Sequence, residues 1–367
     1  MAPRRFGWRR LVAGAGLSLL LSARWLSSGH AAEDARTLVE RGAYKQARAL
    51  VAQRLAADPS DAEALWLMSR VTMAFGDPKA ALPLAERALA LDGRNARYHL
   101  QVAELCGQMA QKAGLLAGMS LGKRFRREAD AALALDPGLN DARDDLMEFF
   151  WQAPGIAGGD KRKAQALADS ILARDPVRGD LAHARLCLQR KDSTAAEAFY
   201  HHAAEVGPTS FAAQIAAASF YGSSSQRNWD RVAQYARTAL ALDPRRAGGY
   251  VVLAGLYAHL GRMAELDSLL LRAKANVPDD LTPVYAAGRT LLDDGRDLER
   301  AARCFRAYLE VEPEGFAPTL AHAHWRLGLV LEKEGRRGEA LAELETAVRL
   351  KPDLDGATKD LKRLRRT

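Results

Sequence analysis

AGGYVVLAGLYAHLGRMAELDSLLLRAKANVPDD, residues 247–280, decides the fold. Gly261 divides two runs of good helix formers, and Pro278 closes the second run. The same closing phrase recurs along the chain. It ends at Pro59 (RLAADP), Gly93 (RALALDG), Pro137 (AALALDP), Pro176 (SILARDP) and Pro208 (HHAAEVGP). It returns at Pro244 (TALALDP), Pro278 (RAKANVP), Pro313 (AYLEVEP) and Pro352 (AVRLKP). The steps are 34, 44, 39, 32, 36, 34, 35 and 39 residues, so one period near 34 with a few insertions accounts for them all.

Composition agrees with a helical array. At 367 residues the chain is too long for a single hydrophobic core, which leaves two domains or a stack of repeats. Hydrophobic residues make up 48% but aromatics only 7%; alanine and leucine dominate and β-branched residues are sparse. An all-α fold follows.

At this point the sequence resembles the tetratricopeptide repeat. Residues 247–280 carry Leu253-Ala254, Tyr257, Gly261 at the turn, Ala273 and Pro278. Residues 321–354 carry Trp325, Leu327-Gly328, Gly335, Ala340, Ala347 and Pro352. The first unit has Gly42-Ala43-Tyr44, Ala47 and Pro59; the second has Trp66, Gly76, Ala81 and Ala88, with Gly93 in place of the proline. The resemblance implies an α-solenoid, a right-handed superhelix of about nine helix pairs over residues 32–352. Residues 353–367 then form a capping helix and basic tail, with Leu354, Leu361 and Leu364 on one side. Small residues let the helices of a pair approach, and each pair leaves an apolar face for the next to cover. Two stretches break the period, near 107–125 and 150–161. The first lengthens helix A of its unit or adds a turn before Lys123. The second places Phe149-Phe150-Trp151 and a glycine loop at an A–B turn.

Residues 1–31 read as an address. Arg4, Arg5, Arg9 and Arg10 precede an apolar stretch from Leu11 to Leu21, and Gly29-His30-Ala31-Ala32 offers a small-residue cleavage site. The stretch is shorter than the roughly 20 residues that span a bilayer, and Arg24 blocks its extension. A cleaved signal peptide and a periplasmic or secreted mature chain are expected, without stable membrane insertion afterwards; an uncleaved anchor is the alternative. The net charge of +8 includes five arginines of this acid-free segment, which leaves +3 for the rest. That is no footprint of a nucleic-acid binder.

Catalytic signatures are missing. In the loop from Gly155 to Lys161, Asp160 stands where a Walker loop needs its second glycine, and no strand precedes it. HExxH and GxSxG are absent, and the histidines are not spaced as a helical zinc pair. Cys106, Cys187 and Cys304 are far apart and read as three buried small hydrophobes. No cofactor, metal or catalytic residue is assigned.

The expected function is therefore that of an exported scaffold holding a protein or peptide of the envelope. The resemblance places the partner-binding residues on helix A of each unit. These are Trp66, Arg70, Met73, Arg97, Glu104, Arg185, Gln189, Tyr221, His259 and Trp325, with Trp66, Tyr221 and Trp325 as anchors. The alternative is an assembly or enzyme-accessory factor that contacts its partner through the insertions at 113–161; an enzyme with an unrecognised site is a third reading.

Overall fold

The computed structural model describes residues 34–223 and 226–366, so the leader read at 1–31 lies outside the described residues. Among the described residues nine helix pairs follow one another. The first three are α1 (Ala35–Arg41) with α2 (Tyr44–Ala57), α3 (Ala62–Ala74) with α4 (Pro78–Leu91), and α5 (Ala96–Ala110) with α6 (Leu115–Leu135). Next come α7 (Asn140–Gln152) with α8 (Lys161–Leu172), α9 (Pro176–Gln189) with α10 (Ser193–Val206), and α11 (Phe211–Tyr221) with α12 (Trp229–Leu242). The last are α13 (Ala247–His259) with α14 (Met263–Asn276), α15 (Thr282–Asp294) with α16 (Leu298–Leu309), and α17 (Leu320–Lys333) with α18 (Arg337–Leu350). A single helix, α19 (Asp355–Arg366), ends the stack and buries Ala357, Leu361 and Leu364.

Local chemistry sets these boundaries. The side chains of Asp61, Asp77, Asn95, Asp160, Asp175 and Asp192 each accept a backbone N–H in the first turn of the helix that follows. Pro78 and Pro176 start α4 and α9, where a missing N–H costs nothing. Asp175-Pro176 thus opens α9 three residues after α8 ends, as well as closing its own unit. Within the pairs, Ala81, Ala88, Ala103, Ala129, Ala254 and Ala340 are fully buried, and their small size sets the close helix spacing.

The first helix of each pair lines one side of the stack. Contacts between successive first helices run through α1, α3 and α5 and again from α9 to α17, but they thin out at α7. The first insertion lies between α5 and α7. It lengthens the second helix of its unit, not the first: α6 has 21 residues where α4 has 14, and the extra turns precede Lys123.

The linker between α16 and α17 returns to the start of the chain. Glu314, 4% exposed, accepts the backbone N–H of Lys45 at 2.9 Å in the first turn of α2, a helix whose own N-cap residue supplies no side-chain acceptor. Phe316 donates its N–H to the carbonyl of Ala74 at the end of α3, at 2.6 Å. Arg48 makes a two-pronged contact with Glu312 at 3.0 and 2.6 Å, and Gln46 reaches Asp279 at 2.8 Å. Gly315 passes so close that a Cβ there would lie 2.7 Å from the Tyr44 ring and 2.8 Å from Ala74. The linker that joins units eight and nine therefore covers units one and two.

Glu314→Ala removes this cap from α2. It is expected to cost about 1 kcal/mol and to lower amide-exchange protection over residues 44–48, whereas Glu314→Gln keeps an acceptor and most of the protection. Hydrogen-exchange mass spectrometry reads both.

Candidate functional site

A cavity of about 910 Å³ opens on the face built from the first helices. Met73 of α3 and Glu104, Gly107 and Gln108 of α5 form one side, and Asp145, Glu148 and Phe149 of α7 another. The insertion supplies Gly114, Leu115, Gly118, Met119 and Gly122, the second loop supplies Pro154 and Ile156, and Phe316 arrives from the α16–α17 linker. Gly114, Gly118 and Gly122 recur at intervals of four; a Cβ at Gly118 would lie 3.3 Å from the Ala110 carbonyl oxygen and one at Gly122 3.7 Å from the Phe149 ring, while Gly114 faces open space. Phe149 packs against Phe125 at 5.2 Å and fixes the inner end. Leu115, Ile156 and Phe316 stand at the rim, 76%, 84% and 61% exposed. Phe316 also has φ +59°, a left-handed conformation unusual for a bulky residue; its N–H bond to Ala74 and its edge contact with Tyr44 at 5.5 Å hold it there.

The turn after α7 explains the glycine loop. A Cβ at Gly159 would lie 1.8 Å from the Ala153 carbonyl oxygen, so only glycine fits the tight return. Asp160 accepts the N–H groups of Arg162 and Lys163 at 3.0 and 3.2 Å and caps α8. The loop is a structural turn, as its sequence implied.

The polar part of the cavity is acidic. Asp144 pairs with Arg185, Glu148 lies 3.5 Å from the same guanidinium, and Asp141 pairs with Arg178. Asp145 is left over. Burial, then repulsion from Glu104, Glu148, Asp141 and Asp144, pushes its carboxyl up to about 8. Burial also raises Glu104, and Arg70 offsets only part of this. Among the described residues no donor reaches the buried Oδ2 of Asp145 or Oε1 of Gln108. A smaller cavity of about 150 Å³ shares Glu104 and is lined further by Trp66, Arg70, Arg97, Gln101 and Asp141. Gln101 is 1% exposed and donates to Met73 Sδ at 3.6 Å, and among the described residues its own Oε1 has no donor.

The groove residues expected from the repeat pattern divide into two sets. Trp66, Arg70, Arg97 and Glu104 meet at the smaller cavity, and Met73 and Glu104 at the larger. Arg185 belongs to the acidic cluster through Asp144. Gln189 is exposed farther along, and His259 packs at a tilt against Trp229, ring centroids 4.6 Å apart, while bonding Asp294 at 2.7 Å. None of the three anchors is a free aromatic surface. Trp66 is 5% exposed, packed on Tyr98 with Arg36 and Arg70 over its ring. Tyr221 is 1% exposed, stacked on Tyr235 and bonded to Glu197. Trp325 is half-buried, donates to Asp360 at 2.8 Å, and lies over Gly356 of α19. Trp66 packs on the next unit, Tyr221 on its own second helix and the preceding unit, and Trp325 on the end helix.

The three cysteines are free and buried. Among the described residues no group of three or more His, Cys, Asp or Glu is placed to hold a metal ion, and no helix is long and apolar enough to cross a membrane.

The tetratricopeptide-repeat profile matches residues 33–96 and 285–355, which are units one, two, eight and nine of this stack. Those four units are tetratricopeptide repeats. The backbone of this repeat protein is similar to that of yeast Tom70, with a TM-score of 0.52 at 15% identity over 90% of this chain and 79% of that one. A thermophilic repeat protein of Thermus thermophilus aligns over 51% of this chain and 94% of its own, at 21% identity and a TM-score of 0.45. In sequence, the bovine regulator of microtubule dynamics protein 3 is 34% identical over 88 residues, 24% of this chain; the match spans 19% of that protein's length. The Tom70 likeness shows a shared fold.

Asp145, Glu148, Met119 and Phe316 are the residues of this repeat protein's cavity that the pattern did not single out. Only the departures from the period marked their neighbourhood. Because the folded state holds Asp145 near 8 against an ordinary 3.8, protonation favours the fold. That contribution is complete below about pH 4 and lost as the pH rises through 8. Asp145→Asn should therefore raise the melting temperature at pH 8.5 by about 2–4 °C per kcal/mol of relieved repulsion and change little near pH 4. Circular dichroism melts at the two pH values check this.

Proposed function

We propose that this chain is an exported scaffold that holds a segment of another protein on its inner face, seated in the cavity between α5, α6 and α7. One observation carries the reading. Leu115, Ile156 and Phe316 stay largely exposed around a 910 Å³ opening, on a surface that elsewhere pairs its charged groups closely. Both irregular stretches of the repeat contribute to that opening, so the inner-face reading and the insertion reading converge on one place. Membership of a repeat family built from stacked interaction surfaces supports a binding role over a catalytic one. The arginine-rich, apolar opening of residues 1–31 supports export to the envelope or beyond.

A photo-crosslinking residue placed at Leu115, Arg97 or Gln189 is expected to trap one discrete protein in cells. The same residue at Leu271, 71% exposed on the second helix α14, is expected to trap none. Equal adducts from both faces, or none from the inner one, end the inner-face reading.

Export has its own test. Intact-mass measurement of the chain from the producing cell should give a mature N-terminus near Ala32; a chain retaining Met1 and the arginines after fractionation contradicts cleavage.

A further inference from the structure

The larger cavity combines apolar walls with acceptors that lack donors. Met119, Phe149 and Phe316 offer apolar contact, while Asp145 Oδ2 and Gln108 Oε1 are buried and reached by no protein donor among the described residues. Glu104 lies between this cavity and the smaller one, where the almost fully buried Gln101 presents a third acceptor of the same kind. The nearby cations are already engaged. Arg185 is bound to Asp144, Arg178 to Asp141, and Arg70 stands over the Trp66 ring. Burial makes Asp145 and Glu104 costly to ionise, and Arg70 offsets this only in part for Glu104; an arriving cation with N–H donors lets the carboxyls ionise and satisfies their lone pairs. Acidic or purely apolar occupants would leave that cost in place.

We propose that the cavity seats a peptide segment of the partner protein in which a lysine or arginine reaches Glu104 and Asp145 while large apolar neighbours pack between Met119, Phe149 and Phe316. This rests on the scaffold reading and specifies its partner by chemistry. The basic side chain supplies the selection. Apolar neighbours supply contact area, and Phe316, fixed in its left-handed conformation, closes over them from the linker.

The test pans a random 12-residue peptide phage library on the full chain. The enriched peptides are then synthesised and their affinity measured by fluorescence anisotropy. Two variants run beside the wild type, the isosteric pair Glu104→Gln with Asp145→Asn and the cavity-filling Met119→Trp, each first confirmed helical by circular dichroism. Enriched sequences should carry a Lys or Arg flanked by Leu, Met, Phe or Trp. Their binding should weaken about 10-fold or more on the charge variant and be blocked by Met119→Trp. Peptides without a basic residue, or peptides that bind the charge variant as tightly as the wild type, overturn the cation assignment. If Met119→Trp still blocks those peptides, the scaffold reading stands alone. No enrichment, with the Leu115 crosslink still formed in cells, also overturns the cation assignment and leaves the scaffold; no enrichment and no crosslink overturns both.

Discussion

Two helices can lie as close as these pairs do only where the residues between them lack bulk. A Cβ at Gly328 would sit 2.9 Å from Leu344, and one at Gly288 would sit 2.8 Å from the Cβ of Cys304. Fully buried alanines hold the equivalent places in other units. A single added methylene at such a point is expected to force the pair apart and cost about 1–3 kcal/mol. From that spacing the rest follows. Each pair is a thin slab with one uncovered apolar face, the next slab covers it, and repetition of the same small rotation brings the eighth unit back to the first.

The cavity arises where this rule is broken. In the third unit Gly118 lets α6 lie against the end of α5, where a Cβ would sit 3.3 Å from the Ala110 carbonyl oxygen, and only Gly114 faces open space; α6 is longer than the second helices of its neighbours. The first helices on either side no longer touch closely at α7, and carboxylates from α5 and α7 share the space that remains. Glycine thus serves close approach in the irregular unit as in the regular ones, and the slot follows from the length of α6.

Much of the architecture was legible because its markers are local. A glycine at the turn, a proline after the second helix and alanines at fixed offsets gave nine pairs and the end cap. Asp160 in place of a Walker glycine identified the 155–161 loop as a turn. The candidate binding residues were less legible. The position of Tyr221 or Trp325 in the repeat says that it lies on a first helix, not that Tyr235 or α19 will cover it. Glu104 and Asp145 are 41 residues apart, and only the superhelical geometry makes them neighbours. Phe316 and Glu314 sit in a linker without periodicity, so nothing in the pattern pointed from them to Ala74 and Lys45. The candidate site was visible only as two interruptions.

The return of the α16–α17 linker to the first two units changes how this molecule can come apart. An open stack frays from its ends, each terminal unit being held by one neighbour alone. Here the first unit is held on one side by the second and on the other by Glu312, Glu314 and Phe316, from the far end of the sequence. Fraying at the start must break bonds near the end, and motion near the end is felt at the rim of the cavity through Phe316. A chain built from nearest-neighbour contacts thereby gains a long-range cooperativity that its repeats alone do not encode.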